Sequence, residues 1–277
     1  GGKKLQGSIS VNTAKNSAVA LVCSTLLVRG KVTFYDMPRV DDVHKVLDIL
    51  GSIGVKYEWQ NKHTLYVDTA GELTMTNLDQ VSCSKIRSSL FLLGALADRT
   101  KKYKLYHSGG CELGERTVRP HLYALKKLGV EIEMKGQYYE VKNNTLKGAE
   151  VVMYEAGDTP TENVIMAAVL ASGTTVIKYA SANYMVQDLC YFLKKAGAKI
   201  EGIGTSTLKI KGVTKLKPVP RYHVMPDPLE AMAFISLGIS TKSELTIKNC
   251  PLDFLDLELV KLAVMGNVPD ETVRETV

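Results

Sequence analysis

Leu47-Asp48-Ile49-Leu50-Gly51-Ser52-Ile53-Gly54-Val55-Lys56-Tyr57-Glu58-Trp59 reads as the end of an amphipathic helix, a glycine stop and the opening of a strand. The same signals return as LKKLGVEIEM at 125–134, LKKAGAKIEGI at 193–203 and VKLAVMGN at 260–267. The stop glycines Gly54, Gly129, Gly197 and Gly266 lie 75, 68 and 69 residues apart. Each suits the left-handed position that follows a helix. A recurring period of this length marks a chain built from repeats.

Working outward from each glycine gives one order of parts. A short helix comes first, apolar nearly all round, at 18–27, 90–97, 164–171 and 229–237. Such a helix has no solvent face and is expected to be covered on all sides. A β-branched and aromatic run follows: KVTFYD, YKLYHS, TTVIKYA and SELTIKN. The amphipathic helix comes next, with Val43, Val46, Leu47 and Leu50 at helical spacing in the first unit. Units one to three close on a pair of alternating strands, such as VKYEW and TLYVD around the polar turn 60–63. The fold class expected is α/β, made of repeated α-β-α-β-β units with an additional strand leading into the next helix.

The chain has 277 residues, 45% hydrophobic and 23% charged, a globular composition. The longest apolar stretches run about ten residues, short of the roughly 20 that a bilayer demands, so no membrane partner is expected. No apolar segment follows Lys3 and Lys4, so no secretory signal is expected. The five cysteines are scattered and odd in number, which suits a reduced, cytoplasmic setting. No zinc-type spacing occurs, and no metal or cofactor is expected. A net charge of +6 favours a small anionic or phosphorylated ligand. Its basic residues form no stripe, so nucleic acid is not an expected partner.

Three segments could carry chemistry. Ser108-Gly109-Gly110-Cys111-Glu112-Leu113-Gly114-Glu115-Arg116 interrupts unit two between strand and amphipathic helix. A thiol near fixed positive charge has a lowered pKa, so Cys111 is either a reactive group or a filler. Cys23 and Cys190 sit inside helical patterns and read as fillers. Lys15, in Thr13-Ala14-Lys15-Asn16-Ser17, stands at a helix start, where it either meets an anion or reaches to solvent. Lys85-Ile86-Arg87-Ser88-Ser89 holds the matching place in unit two, so Lys15 and Arg87 could converge on one phosphate. Gly202-Ile203-Gly204-Thr205 falls where the repeat requires a turn, and is read as one.

GGKKLQGSISVNTAKNSAV, IRSSLFLLGALADR and SGGCELGERTVRPHLYALKKLGVEI together resemble the UDP-N-acetylglucosamine 1-carboxyvinyltransferase family of enolpyruvyl transferases. The resemblance runs from Gly1 to about Gly266, and its most specific part is the GGC-x-x-G-x-R loop. It implies two inside-out α/β barrel domains of three repeats each. It implies transfer of the enolpyruvyl group of phosphoenolpyruvate to the 3-hydroxyl of UDP-N-acetylglucosamine, for peptidoglycan synthesis. By position, Lys15, Arg87 and Arg116 match groups that hold phosphoenolpyruvate, and Cys111 matches the proton-donating cysteine that fosfomycin alkylates. Asn16 and Phe91 match contacts to the sugar nucleotide.

Departures fall on the acceptor side. The family's Arg-Pro-Val-Asp-Leu reads Arg116-Thr117-Val118-Arg119-Pro120, so an acidic contact to uracil becomes Arg119. Its Ser-Val-Gly reads Gly157-Asp158-Thr159. The resemblance also places a base aspartate in a fifth repeat and an arginine in a sixth, and only four repeats are read here. A complete domain is therefore expected over 13–216, with a partial one from 1–12 plus 217–277 joined through the Pro-rich stretch 217–220. The alternatives are an inactive truncated form that still binds ligand, and a transferase acting on a different nucleotide. Oligomeric state is not legible.

Overall fold

A computed structural model describes residues 3–107 and 117–267. The chain divides into two compact units, residues 15–224 and residues 1–14 with 225–277. The first strand, β1 (Gln6–Ser10), belongs to the smaller unit.

In the larger unit the first repeat comprises α1 (Lys15–Val28), β2 (Lys31–Tyr35), α2 (Asp41–Ser52), β3 (Lys56–Trp59) and β4 (Leu65–Asp68). After Lys15, α1 carries no charged side chain, and every residue from Ser17 to Val28 is buried. Helix α2 buries Val43, Val46, Leu47, Ile49 and Leu50 and turns Asp41 and Asp48 outward.

The second repeat opens with α3 (Gln80–Lys85), capped by the Asp79 carboxylate, which accepts from the Val81 and Ser82 amides. Its buried helix is broken: Arg87–Phe91 forms a 3-10 turn, and only Leu92–Ala95, α4, is α-helical. The single apolar helix expected over 90–97 is corrected accordingly. The Ser89 hydroxyl donates back to the carbonyls of Ile86 and Cys83, which holds the tighter turn. Then follow β5 (Lys102–Tyr106), α5 (Arg119–Leu128), β6 (Val130–Lys135) and β7 (Tyr138–Asn143). Gly129 ends α5 at φ +104°.

The third repeat runs β8 (Glu150–Val152), α6 (Asp158–Ala168), β9 (Thr174–Lys178), α7 (Tyr184–Lys195), β10 (Lys199–Glu201) and β11 (Thr207–Lys211). The turn at 202–206 joins β10 to β11, with Gly202 and Gly204 at φ +81° and +82°. Strand β12 (Val219–His223) completes the unit. The sheets are ordered β12-β2-β4-β3, β5-β7-β6 and β8-β9-β11-β10. Each turns one face onto the helices, as the alternating burial of β2, β5 and β9 shows. Helices α1, α4 and α6 pack on one another at the centre. Gly94 permits the close approach of α4 and α6, because a Cβ there would lie 2.4 Å from the Asn163 carbonyl oxygen.

The smaller unit adds α8 (Pro228–Thr241), β13 (Glu244–Lys248) and α9 (Asp256–Val264). Leading strands are exchanged between sheets. β1 precedes α1 in sequence but pairs in parallel with β13, and β12 precedes α8 but pairs in parallel with β2. Residues 217–224 thus lie in the larger unit, because β12 fills the edge that β8 fills beside β9. The second repeat has no leading strand among the described residues; the turn Met75–Asn77 and α3 precede its buried segment instead.

Helix α8 differs from α1 and α6 in its burial. It is apolar nearly all round, yet only Pro228, Ala231 and Ile235 are buried, and Leu229 remains 64% exposed. The unit's described core is small, built on Val11, Ala231, Ile235 and Leu255, so α8 has too little around it to be covered on all sides.

Candidate active site

The larger unit brings several helix starts together. Lys15 is the first residue of α1 and Arg87 the first of the 3-10 turn, and these two elements pack against each other. Asn16 Nδ2 lies 3.5 Å from the hydroxyl of Tyr184, the first residue of α7. Asp158 opens α6 and accepts from the Ser181 hydroxyl at 2.5 Å and from Asn183 Nδ2 at 3.3 Å. Exposed backbone N–H groups at helix starts favour an anion, and two cations stand among them.

The two cations are held differently. Lys15 Nζ pairs with Asp42 Oδ2 at 2.5 Å, and its side chain is 49% exposed. An incoming anion would compete with Asp42 for it. The Arg87 guanidinium donates to the Thr117 carbonyl at 3.2 Å, directly before α5. The Thr117 hydroxyl accepts from the Arg119 amide at 3.2 Å, and Val118 is the α5 N-cap. Pro120 fills the first turn of α5, where its missing N–H costs no bond. The Arg119 side chain is exposed.

A buried polar network fixes this end of the unit. Asn163, fully buried on α6, accepts from the Gly94 amide at 2.7 Å and donates toward His121 Nδ1 at 3.0 Å and the Thr159 carbonyl at 3.3 Å. His121 is 1% exposed. Burial, and secondly the Arg87 charge, push its pKa down to about 3, so the ring is neutral. With Asn163 donating to Nδ1, the ring proton sits on Nε2. Glu162, next in the helix, is also buried. Burial, then Asp158 and Asp188, raise its pKa well above the usual carboxylate range, and its Oε1 has no hydrogen-bond partner among the described residues. The Tyr222 hydroxyl donates to Asp188 Oδ1 at 2.6 Å.

Cys111 and Arg116, expected from sequence to be reactive groups, lie outside the described residues. Phe91, expected at the nucleotide, is 4% exposed and packed in the core. Cys23 and Cys190 are buried, and burial pushes the Cys190 thiol up to about 12 and Cys23 higher still. Sequence reasoning did not single out Asp42, His121, Glu162 or Asn163 as site residues. The polar run Thr161-Glu162-Asn163 inside an apolar helix was the available signal for the last two. Among the described residues no group of His, Cys, Asp and Glu could hold a metal ion, and no helix is long and apolar enough to cross a membrane.

UDP-N-acetylglucosamine 1-carboxyvinyltransferase of Deinococcus deserti is 36% identical over 268 residues, 96% of this chain and 62% of the relative. Enzyme 2 of that name from Caldanaerobacter subterraneus subsp. tengcongensis is 36% identical over 266 residues, covering 96% and 63%. The chain therefore spans just under two thirds of the curated relatives it matches. In fold it resembles the enolpyruvyl transferase NikO from Streptomyces tendae, with TM-score 0.74, 20% identity and coverage of 86% of this chain and 56% of that one. EPSP synthase from Acinetobacter baumannii gives a TM-score of 0.66 at 17% identity, covering 86% and 54%. The family model matches residues 1–276, nearly every residue of the four repeats, and by that match the chain belongs to the EPSP synthase (3-phosphoshikimate 1-carboxyvinyltransferase) family.

Proposed function

We propose that this chain forms the phosphoenolpyruvate-binding part of an enolpyruvyl transferase whose acceptor is UDP-N-acetylglucosamine, in peptidoglycan synthesis. The observation that carries the reading is the placement of Lys15 and Arg87 at the starts of two adjoining helical segments. Arg87 offers a planar fork to a carboxylate or phosphate, and Lys15 a point charge. In the proposed reaction C3 of phosphoenolpyruvate takes a proton from Cys111, which leaves C2 electrophilic. The acceptor oxygen bonds to C2 and loses its proton to the aspartate that the resemblance places in a fifth repeat. The C2–O bond to phosphate then breaks, and C3 loses a proton to restore the double bond. Lys15, Arg87 and Arg116 offset charge on the phosphate and carboxylate throughout.

Asn16, Thr117, Val118, Pro120, Asp158 and Thr159 are assigned to the acceptor side. Phe91 would support that side from the core. The larger unit is proposed as an inside-out α/β barrel, with α1, α4 and α6 inside three sheets, and the protein as a cytoplasmic one. A second reading, a different nucleotide acceptor, is favoured by Arg119, an exposed cation where the resemblance leads one to expect an acidic contact. Mass spectrometry of the nucleotide after incubation with phosphoenolpyruvate tests both. An enolpyruvyl adduct of UDP-N-acetylglucosamine supports the first reading; an adduct only on another nucleotide supports the second.

A further inference from the structure

The outer face of α5 carries aromatic surface that the fold does not use. Tyr123 is 44% exposed, and Tyr154, between β8 and α6, is 70% exposed. Their ring centroids lie 6.4 Å apart with the planes tilted by 59°. Two such rings form an open corner: a flat ligand ring stacked on one presents its edge to the other. Cations border the corner. Lys127 Nζ sits 5.6 Å from the Tyr123 centroid, and Arg119 lies one helical turn before Tyr123, hence on the same side of α5. Neither cation has a hydrogen bond or ion pair from its side chain to another described residue. Glu155, next to Tyr154, limits the anionic charge that this edge accepts.

We propose that Tyr123 and Tyr154 form a ledge that stacks the base of a nucleoside diphosphate, with Arg119 and Lys127 facing its phosphates. Stacking surfaces flanked by basic side chains suit a ring joined to an anion, because the ring takes the π-face and the cations take the charge. The inference rests on the nucleotide-acceptor reading and adds the residues that stack the base. The Lys127 ammonium already lies over Tyr123, so a stacked base either uses the opposite face or displaces it.

Calorimetric titration with uridine diphosphate, and separately with pyrophosphate, tests the ledge on the wild-type chain and on Y123A, Y154A, Y123F and Y154F. Both tyrosines are exposed, so the alanine variants are expected to fold. The expected result is uridine diphosphate binding weakened about tenfold or more by each alanine. The phenylalanine variants keep wild-type affinity, and pyrophosphate binding is unchanged in all four. Equal uridine diphosphate affinity across the wild type and the alanine variants overturns the ledge and leaves the acceptor reading standing. Absence of nucleotide binding in the folded wild type overturns both.

Discussion

The Arg87 guanidinium donates to the Thr117 carbonyl at 3.2 Å, tying the 3-10 turn of the second repeat to the segment that enters α5. Arg87 thereby stands at a helix start and also steadies the backbone at Thr117, before α5. The broken helix matters for this. A continuous α-helix over 87–95 would aim that side chain differently, because successive residues turn 100° in an α-helix and about 120° in a 3-10 turn.

Replacing Arg87 by lysine keeps the charge and removes the planar fork. R87K is expected to lower turnover with phosphoenolpyruvate by about 10²-fold while leaving the unfolding midpoint close to wild type. Steady-state phosphate release and urea denaturation, run on the same preparation, separate the two effects. Equal losses in stability and rate would assign Arg87 a packing role only.

Asp42 is paired with Lys15, so an anion bound at Lys15 would compete with it. The pair is partly exposed, so D42N is expected to change stability by less than about 1 kcal/mol. It is also expected to tighten phosphoenolpyruvate binding, because Lys15 no longer leaves an ion partner. Weaker binding in D42N would mean that Asp42 orients Lys15 rather than opposing the ligand.

Asn163 joins α6 to α4 and α5 through Gly94 and His121. N163A leaves buried donors and acceptors unpaired and is expected to cost about 2–4 kcal/mol in urea unfolding. G94A meets the same contact from the other side, since its Cβ would lie 2.4 Å from the Asn163 carbonyl oxygen. Wild-type stability in both would show that this junction is looser than its geometry implies.

Glu162 gives a pH signature with a definite sign. Its folded pKa lies well above the ordinary 4.5, so the folded state keeps a proton that the unfolded chain releases. Stability contributed at low pH is therefore lost as pH rises from about 4.5 toward the folded pKa, at no more than about 1.4 kcal/mol per pH unit. Asp158 and Asp188 face the group and act in the same direction. E162Q carries no such proton, so its stability relative to wild type is expected to grow as pH rises above about 5 in urea titrations. Parallel stability curves for the two proteins would contradict a neutral Glu162.

Burial raises the pKa of all four described thiols. Cys83 and Cys190 are pushed up to about 12, and Cys23 and Cys250 are also raised by burial. The resemblance makes Cys111 the target of fosfomycin, and no addition is expected at the other four cysteines, since a protonated buried thiol is a poor nucleophile. Peptide mapping checks this, and label at Cys23, Cys83, Cys190 or Cys250 in folded protein would refute it.

The repeat was legible in sequence because its signals are local. Gly54, Gly129, Gly197 and Gly266 all have positive φ, and the strands after the buried helices fall where β-branched runs occur. The exchange of β1 and β12 between sheets was not legible, since pairing partners such as Gln6 with Glu244 and Val219 with Val32, far apart in the chain, leave no mark in a periodic pattern. Lys15 and Arg87 were found because charge at the start of an apolar helix is conspicuous. His121 and Asn163 were missed because their bonds form only when α5 and α6 pack. The broken helix at 87–95 escaped notice because the bonds from the Ser89 hydroxyl to the Ile86 and Cys83 carbonyls, which hold the 3-10 turn, leave no mark in an apolar run.

The central claim is that Lys15 and Arg87 hold phosphoenolpyruvate together. Calorimetric titration of phosphoenolpyruvate into the wild-type chain, K15A and R87A tests it most directly. The expected result is saturable binding by the wild type, weakened about tenfold or more in each variant with the fold retained by circular dichroism. Unchanged affinity in both variants, or no binding by the folded wild type, would contradict the claim.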